Sequence, residues 1–324
     1  MRRQRPRQAA LECVDHFVRV KGTSVRGATE KDVLQDPVSK HIYIAKLGGR
    51  NNDVEVMTEY AIYLIGRSLG VTVADARIAY YQGRLRFLSR YFLNIDGPEE
   101  LVHGMQLFTE LYDESTVTHV LHDESLEQKM FSVQAVKSAF GATYLQYGAQ
   151  LEEELFDGFV SMLAHDALIG VMDRHHENWG IIVQREKGGT LPKFAPLYDS
   201  ARGLFCNESD PELERRYCGR AGMERLDGFV ARSRPLVGFD GLHPTKGRHY
   251  LTHEQLLAAV FHDYPNQRRR ILSVLEAYDW KRVGHQLENE LFGLCSPNRR
   301  QLMLTCLRRR LRSIRRAIEE RMRE

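Results

Sequence analysis

The sequence predicts an α+β protein of two lobes, a smaller, mostly β lobe over residues 1–93 and a larger, helical lobe over residues 94–324. Alternating and β-branched runs dominate the first part, with one amphipathic helix among them, whereas helical periodicity dominates the second part. The length of 324 residues allows two lobes with substantial cores, and the 43% hydrophobic content is ordinary for a globular protein.

Composition and charge exclude several classes of protein. No apolar run reaches membrane-spanning length, so we expect no membrane span, and the basic N-terminus lacks the apolar segment of a signal peptide. The 5 cysteines form no CxxC pair, which favours reduced cytoplasmic thiols over disulfides or a zinc site. A net charge of +3 is too small to indicate direct binding of nucleic acid, and we do not expect it.

In the first lobe, an alternating strand carries a lysine. The run HIYIAKL predicts a strand on which Ile42, Ile44 and Lys46 share one face. If this face covers a base, Ile44 packs on the ring and Lys46 reaches the phosphates. The alternative is a lysine that extends from the end of a strand into water.

The helix predicted over residues 54–69 supplies a partner for this lysine. It has one apolar stripe, and Glu59 at the edge of the stripe could meet Lys46. Glu55, one turn earlier, is the competing candidate. The runs VADARIAYY and RLRFLSRYFL then predict two further strands, which complete the lobe.

The turn before the lysine strand, SVRGATEK, could hold phosphate. Gly27 permits a positive φ, so successive backbone N–H groups can point at one anion, while Arg26 and Lys31 add positive charge. A single glycine also fits an exposed hairpin loop, which is the alternative.

The second lobe is organised around a polar loop between two buried elements. An apolar helix over residues 151–170 ends shortly before Asp173, and the β-branched run IIV after Gly180 predicts a strand. Asn178 follows Asp173 by five positions. Protein kinases use this spacing for the carboxylate that accepts the proton of the acceptor hydroxyl and for a carboxamide that holds a metal ion.

A second aspartate should complete the metal site. The run FAPLY predicts a short strand over residues 194–198 that ends at Asp199. A carboxylate and a neutral amide oxygen together suit Mg²⁺ beside a triphosphate. The alternative is that Asp173 and Asn178 only cap a turn.

Several other segments carry structural predictions. Residues 94–150 are acidic and mixed, which indicates a link between the lobes and a helical insertion. Residues 200–250 lose helical periodicity and predict an irregular segment where an activation or substrate-docking segment would lie. Thr252 and Gln255 predict a capping box, and Ser296 with the following proline predicts the start of the last helix. We expect this helix to pack its apolar side on the domain and to leave its arginines in water.

Taken in order, SVRGATEK, Lys46, Glu59, DRHHEN and LYDS resemble the HipA-type kinases, bacterial serine/threonine kinases of toxin–antitoxin systems with a two-lobed, protein-kinase-like fold. The resemblance covers most of residues 20–260 and is strongest in IGVMDRHHENWGIIV and FAPLYDSARG. It implies transfer of phosphate from ATP, with Mg²⁺, to a protein substrate. It also implies an antitoxin partner, and a cytoplasmic location or translocation as an effector without a Sec signal.

The resemblance assigns the catalytic roles. Asp173 would be the catalytic base, and Lys46 would hold the α and β phosphates with Glu59 as its partner. Asn178 and Asp199 would bind Mg²⁺.

The resemblance also assigns nucleotide contacts. Ser24 has the position of an inhibitory autophosphorylation site, and Ser89 to Tyr91 match the hinge that bonds adenine through its backbone. The residues that it places at the nucleotide are Ser24, Arg26, Gly27, Ala28, Thr29, Glu30, Lys31, Lys46, Ser89, Arg90, Tyr91, His175, His176, Glu177, Asn178, Tyr198 and Asp199.

Two features depart from the family pattern. Ser89 stands where the hinge usually has an acidic residue. Full-length members carry a further N-terminal subdomain, so the chain resembles the short forms, which include translocated effector kinases.

Three other functions stay open at this point. An aspartate after DRHxxN is also the pattern of phosphoinositide kinases, which makes a lipid kinase the nearest alternative. A metal-dependent phosphohydrolase would use His165, Asp166, Asp173 and His176 and would not need Lys46. A nucleotide-sensing protein with negligible turnover is the third.

In a kinase, we expect His165 and Asp166 to bond the backbone of the polar loop.

Overall fold

A computed structural model describes residues 11–20, 31–49, 52–94, 97–109, 130–184, 190–244, 251–277 and 279–324. The predicted α+β class is confirmed, since a five-stranded sheet precedes a three-stranded sheet and a larger helical part. The lobe boundary at residue 93 stays a prediction. Within the described ranges, none of the helices combines the length and the apolar character needed to cross a membrane.

The first sheet has five antiparallel strands in the order β1-β2-β3-β5-β4. The strands are β1 (Val18–Arg19), β2 (Lys31–Gln35), β3 (Ile42–Lys46), β4 (Ala76–Tyr81) and β5 (Arg84–Arg90). The strands predicted from HIYIAKL and from the two later β-rich runs are therefore present. Because β3 lies in the middle, Lys46 pairs with Lys31 on one side and with Phe87 on the other.

A helix, α1 (Asn52–Ser68), packs against β4 and β5. Its buried residues include the predicted stripe of Met57, Tyr60, Ala61, Leu64, Ile65 and Ser68. Glu59 is also buried, at 7% exposure. A carboxylate is rarely buried without a partner, so its contacts decide its role.

The second sheet begins with a strand that the sequence did not predict. β6 (Glu99–His103) pairs with β7 (Gly180–Gln184), which in turn pairs with β8 (Lys193–Phe194). Every residue of β6 is half-buried, so its sequence lacks the alternation that marks a strand. The helices α2 (Gly104–Thr109) and α3 (Val133–Thr143) follow β6.

The helix α4 (Ala149–Ile169) is the long helix predicted before the polar loop. It ends at Gly170, whose φ of 73° places it in the left-handed region that glycine favours at helix ends. The loop then leads directly into β7. The core is continuous here, since residues of α1, β5 and α4 belong to one apolar cluster.

The strand predicted over residues 194–198 is shorter than expected. β8 ends at Phe194, because Pro196 has no N–H to donate to a sheet ladder. Leu197 forms only an isolated bridge with Val73. The segment that carries Asp199 is therefore attached to the loop before β4.

Residues 200–244, the described part of the segment predicted to be irregular, are more regular than predicted. The helices α5 (Asp210–Tyr217) and α6 (Gly219–Arg232) lie there, so the expectation of an irregular segment is wrong for them. α5 begins at a capping box formed by Ser209 and Glu212. Both helices are mostly polar and bury few side chains, so little apolar content marks them in the sequence.

Beyond residue 250, the described chain contains α7 (His253–Asp263), α8 (Arg268–Glu276), α9 (Trp280–Glu290) and α10 (Pro297–Arg321). α7, α8 and α10 pack on α4, whereas α9 packs on α1. The predicted capping box of Thr252 and Gln255 and the predicted N-cap Ser296 are confirmed.

The prediction for the arginines of α10 is wrong at two positions. Arg299 and Arg310 are 0% and 1% exposed. Arg299 Nε donates to Asp210 at 2.7 Å, which ties α10 to the start of α5. Arg310 lies at the end of α4, next to Gly170. These two charged side chains are thus buried because they contact partners that are distant in the sequence.

Candidate active site

Lys46 lies at the centre of a buried charged cluster. Its Nζ is 2.5 Å from Glu59 Oε1 and 2.9 Å from Asp199 Oδ1. Glu55, the competing partner, instead accepts a hydrogen bond from the Gly49 N–H at 2.6 Å. The lysine therefore joins three elements of the fold, namely β3, α1 and the segment after β8.

The charges in this cluster shift the protonation of its members. Burial lowers the pKa of Lys46, but the carboxylates of Glu59 and Asp199 outweigh burial and raise that pKa to about 12. Burial raises the pKa of Asp199, yet the ammonium groups of Lys46 and Lys31 bring it well below its usual range. The pKa of Glu59 is raised, mainly by burial. At neutral pH, Lys46 and Asp199 are therefore both charged.

Asp199 presents both of its carboxylate oxygens to cations. Oδ1 accepts a hydrogen bond from Lys46 at 2.9 Å, and Oδ2 accepts one from Lys31 at 3.2 Å. Its side chain is 34% exposed, so a metal ion can reach it from solution. Its φ of 50° lies in the left-handed region, an unusual conformation that is common at functional sites. The two ammonium groups keep this carboxylate ionised, and an ionised carboxylate is a ligand that Mg²⁺ prefers.

Asp173 and Asn178 lie in the loop between α4 and β7, as predicted. Asn178 Nδ2 donates to the Asp173 carbonyl at 2.7 Å, and the Asn178 N–H donates to the His175 carbonyl at 2.9 Å. These bonds fix the carboxamide, while Oδ1 has no donor among the described residues. Oδ1 is thus available as a metal ligand. The Asp173 carboxylate is 37% exposed and forms an ion pair with Arg202 at 3.3 Å.

Arg174 holds the two halves of the site together, a role that the sequence did not reveal. Its side chain is 2% exposed and donates to the Asp166 carboxylate at 2.7 and 3.1 Å. It also donates to the carbonyls of Asn178 and Tyr198 at 2.8 and 2.9 Å. One guanidinium therefore fixes the polar loop to the residue that precedes Asp199.

The buried Asp166 is the sequence signal that could have identified Arg174. Burial raises the pKa of Asp166, but the charge of Arg174 outweighs it and lowers the pKa to about 2. Asp166 lies on an apolar helix, where an ionised carboxylate needs a cationic partner. Arg174 follows Asp166 by 8 positions in the sequence and is a cation that can serve as this partner.

The predicted loop residues His175, His176 and Glu177 have mostly structural contacts. The His176 ring stacks on Phe131 with 4.8 Å between centroids, and its carbonyl accepts the Met105 N–H at 3.1 Å. His175 Nδ1 accepts the Glu177 N–H at 3.3 Å. These contacts anchor the loop against α2 and the segment before α3.

Tyr198, also predicted to lie at the nucleotide, anchors the loop from the other side. Its Oη lies 2.9 Å from His103 Nδ1 and donates to the Glu177 carbonyl at 3.1 Å. Its ring also contacts Phe92, with 5.7 Å between ring centroids. The segment after β5, which carries Phe92, therefore lies next to the segment that carries Asp199.

The predicted hinge, Ser89 to Tyr91, lies at the end of β5. The N–H groups of Arg90 and Tyr91 already donate to backbone carbonyls of neighbouring segments, at 2.7 and 2.8 Å. These two N–H groups are thus occupied within the chain, and the contact of this segment with adenine stays a prediction. Phe92 is the first residue after them whose N–H has no acceptor in the described part of the chain.

The predicted phosphate loop falls largely outside the described residues. Ser24 and the predicted contacts Arg26, Gly27, Ala28, Thr29 and Glu30 are not among them. Lys31, the last residue of this turn, is described, and its side chain is 6% exposed at Asp199. A second buried ammonium group therefore enters the site from β2.

The metal cluster of a phosphohydrolase does not form in the described ranges. There, no group of three or more His, Cys, Asp or Glu side chains could hold a metal ion. His165 Nδ1 lies 3.2 Å from Asp166 Oδ1. The expectation that this pair bonds the loop backbone is wrong, because Asp166 binds the side chain of Arg174 instead.

Comparison with known proteins points to one family. The family model described as HipA-like C-terminal domain matches residues 23–224. The structure is similar to the Helicobacter pylori proinflammatory kinase CtkA, with a TM-score of 0.74 and 17% identity over 97% of this chain and 99% of that chain. It is also similar to a chain from the Shewanella oneidensis MR-1 complex of the toxin–antitoxin system HipA, HipB and its operator DNA. That match has a TM-score of 0.50 and 13% identity over 93% of this chain and 67% of that chain. Such low identities show a shared fold, and a search of curated proteins finds no match.

Proposed function

The chain belongs to the HipA-like C-terminal domain family, and on this premise we propose that it is an ATP-dependent serine/threonine protein kinase. The observation that carries the proposal is the contact of Lys46 with both Glu59 and Asp199. A buried lysine held between two carboxylates at the edge of a polar loop is the arrangement that phosphoryl transfer needs. A lysine in water at the end of a strand would not explain these contacts.

In this proposal, Lys46 and Lys31 bind the phosphates of ATP. Asn178 Oδ1 and the Asp199 carboxylate would hold Mg²⁺, which neutralises phosphate charge when it is bound. Lys31 now occupies one oxygen of Asp199, so metal binding would move this ammonium group towards the phosphates. The adenine would bond the Phe92 N–H, one residue beyond the hinge that the sequence suggested.

Asp173 would serve as the catalytic base. The acceptor hydroxyl oxygen forms a bond to the γ-phosphorus while the bond from that phosphorus to the β–γ bridging oxygen breaks. ADP keeps the electron pair of the broken bond, and the hydroxyl proton passes to Asp173. The bond from Asn178 Nδ2 to the Asp173 carbonyl and the buried Arg174 would hold the base in place.

We propose protein hydroxyls as acceptors, including Ser24 of the same chain. An antitoxin-like protein would be the partner that restrains the kinase, by analogy with the Shewanella complex, which contains HipA and HipB. Because the reaction consumes ATP, we place the protein in a cytoplasm, either that of the producing cell or that of a cell that receives it.

The proposal is tested by incubating the protein with γ-labelled ATP and Mg²⁺, followed by mass spectrometry of the protein. We expect phosphate on Ser24 in the wild type and in the Asp240→Ala control, whose aspartate is exposed far from the loop in sequence. Asp173→Ala should bind Mg·ATP yet carry no phosphate. Phosphoinositide vesicles in a parallel reaction test the lipid alternative. Label in lipid and never in protein would overturn the proposal.

A further inference from the structure

Arg202 lies beside the candidate base, in the segment that follows Asp199. Its Nε is 3.3 Å from Asp173 Oδ2. Its backbone carbonyl accepts the N–H of Met172, the residue before the base, at 3.0 Å. Both the backbone and the side chain of Arg202 are therefore attached to the polar loop.

Close packing at the next residue fixes the backbone of Arg202. A Cβ on Gly203 would lie only 2.6 Å from Ile169 Cγ2 and 3.4 Å from Ile62 Cδ1. Gly203 is thus enclosed between the end of α4 and the middle of α1, and a larger residue would not fit there. These contacts therefore hold the backbone of residue 202 next to the loop, whichever group its side chain binds.

The guanidinium itself is free to exchange partners. The side chain of Arg202 is 61% exposed, and its partner Asp173 is 37% exposed. Exposed ion pairs are weak because water and salt screen them. A ligand with more negative charge at the same place would therefore replace Asp173 as the partner of the guanidinium at a small cost in free energy.

The proposed reaction places such an anion near Arg202. A base lies within about 3 Å of the acceptor oxygen, and that oxygen lies about 3 to 3.5 Å from the phosphorus that it attacks. The oxygens of the γ-phosphoryl group are thus within roughly 6 Å of the Asp173 carboxylate, within the reach of an arginine side chain. A planar guanidinium can bind two phosphoryl oxygens at once.

We propose that Arg202 binds the γ-phosphoryl group of ATP and is a catalytic residue of the transfer. In the nucleotide-free protein, Arg202 neutralises Asp173. With ATP bound, it moves to the phosphoryl group, which frees the base for the acceptor hydroxyl and stabilises the charge of the transferring group. This inference rests on the proposed kinase function and adds a residue to it.

The test compares the affinities of ADP and of a non-hydrolysable ATP analogue, measured by calorimetry with Mg²⁺. In Arg202→Gln, we expect unchanged affinity for ADP and about 10- to 100-fold weaker binding of the analogue, since only the analogue carries a γ-phosphoryl group. The rate of phosphoryl transfer should fall by about 100-fold or more. Arg202→Lys keeps the charge but not the two-pronged geometry and should lie between the two.

Arg220→Gln is the matched control, because it removes an exposed arginine of α6 outside the loop. It should leave both affinities and the rate unchanged. Equal affinity losses for ADP and the analogue in Arg202→Gln, or wild-type behaviour of that variant, would overturn the role of Arg202. A wild-type protein that binds neither nucleotide would instead overturn the kinase function, and the inference with it.

Discussion

Lys46 Nζ lies 2.5 Å from Glu59 Oε1, and the two side chains are only 9% and 8% exposed. This contact links the five-stranded sheet to α1. Removing one partner of a buried ion pair leaves a charge without compensation, which costs far more than the loss of an exposed pair. The pair is therefore important for stability as well as for the proposed binding of phosphate.

We predict that Lys46→Met destabilises the protein by about 3 kcal/mol at neutral pH. The ammonium group now lowers the pKa of Glu59 against the effect of burial, so its loss raises that pKa further. A carboxyl group whose pKa is raised by folding destabilises the protein above its unfolded pKa and does so less as the pH falls. The loss should thus shrink at acidic pH.

Urea denaturation at several pH values measures this effect. Lys193→Met is the control, because Lys193 is 59% exposed and its ion pair with Glu99 has a distance of 3.5 Å. We expect a change of about 0 to 1 kcal/mol for this pair, whose lysine is exposed and whose carboxylate is half-buried, with little dependence on pH. If both variants lost the same stability, the buried cluster would not have the importance described above.

A second prediction concerns Arg174. Its guanidinium donates to Asp166, to two backbone carbonyls and to Ser200 Oγ at 2.6 Å. Lysine cannot reproduce this planar set of donors. Arg174→Lys should therefore cost about 2 to 4 kcal/mol of stability, and phosphoryl transfer should fall more than the affinity for ATP, since the loop and the Asp199 segment lose their common anchor.

Thermal unfolding, ATP titration and steady-state kinetics test this prediction together. Arg316→Lys is the matched change at an exposed pair, since Arg316 and Glu320 are 78% and 57% exposed and lie 2.7 Å apart. It should change stability by less than about 1 kcal/mol. Wild-type turnover in Arg174→Lys would show that the loop needs no such anchor.

His253 gives a prediction for pH dependence. Its Nε2 lies 2.8 Å from the Val171 carbonyl at the start of the polar loop. Burial and then the charge of Arg310 lower its pKa to about 4, although Glu254 and Asp166 act in the opposite direction. The unfolded chain takes up this proton near pH 6.5, whereas the folded chain does so only near the lower value.

Above about pH 6.5, His253 therefore does not destabilise the folded protein. As the pH falls from there towards the folded pKa, the free energy of unfolding decreases. Between pH 7 and pH 5, this residue should account for about 1 to 2 kcal/mol of lost stability. His253→Gln removes the titration, so its stability should depend less on pH over this range. The measurement is the difference between the urea midpoints at the two pH values, and an unchanged difference in His253→Gln would contradict the assignment.

The sequence predicted the features that depend on local patterns. The strand of Lys46, the stripe of α1, the capping box of Thr252 and the loop between α4 and β7 all follow from the spacing of apolar and capping residues. Such patterns act within a few residues of one another, so one chain segment contains all the information that is needed.

The features that the sequence missed depend on partners far along the chain. Arg299 and Arg310 looked like solvent-exposed members of a basic helix, but their partners lie on other helices. β6 has no alternating pattern because both of its faces are half-covered. The helices α5 and α6 are mostly polar and bury few side chains, so little apolar content marks them in the sequence. No local pattern records these tertiary contacts.

Gly170 provides the last prediction, because it lies where α4 ends and the polar loop begins. Its φ is 73°, and a Cβ there would be 2.2 Å from Arg310 Cζ. Alanine would therefore combine backbone strain with a clash against a guanidinium that is 1% exposed. Gly83, in the turn between β4 and β5, has a similar φ of 71° and nothing within 4 Å of its Cβ position, so Gly83→Ala measures the strain alone.

We expect a loss of about 1 to 2 kcal/mol for Gly83→Ala and at least about 3 kcal/mol for Gly170→Ala, measured by urea denaturation. Phosphoryl transfer should fall only in Gly170→Ala, because the clash with the buried Arg310 lies where α4 ends and the loop that carries Asp173 begins. Equal losses of stability in the two variants would show that the structure at the end of α4 accommodates the added methyl group. Arg310 of α10 would then not support the loop.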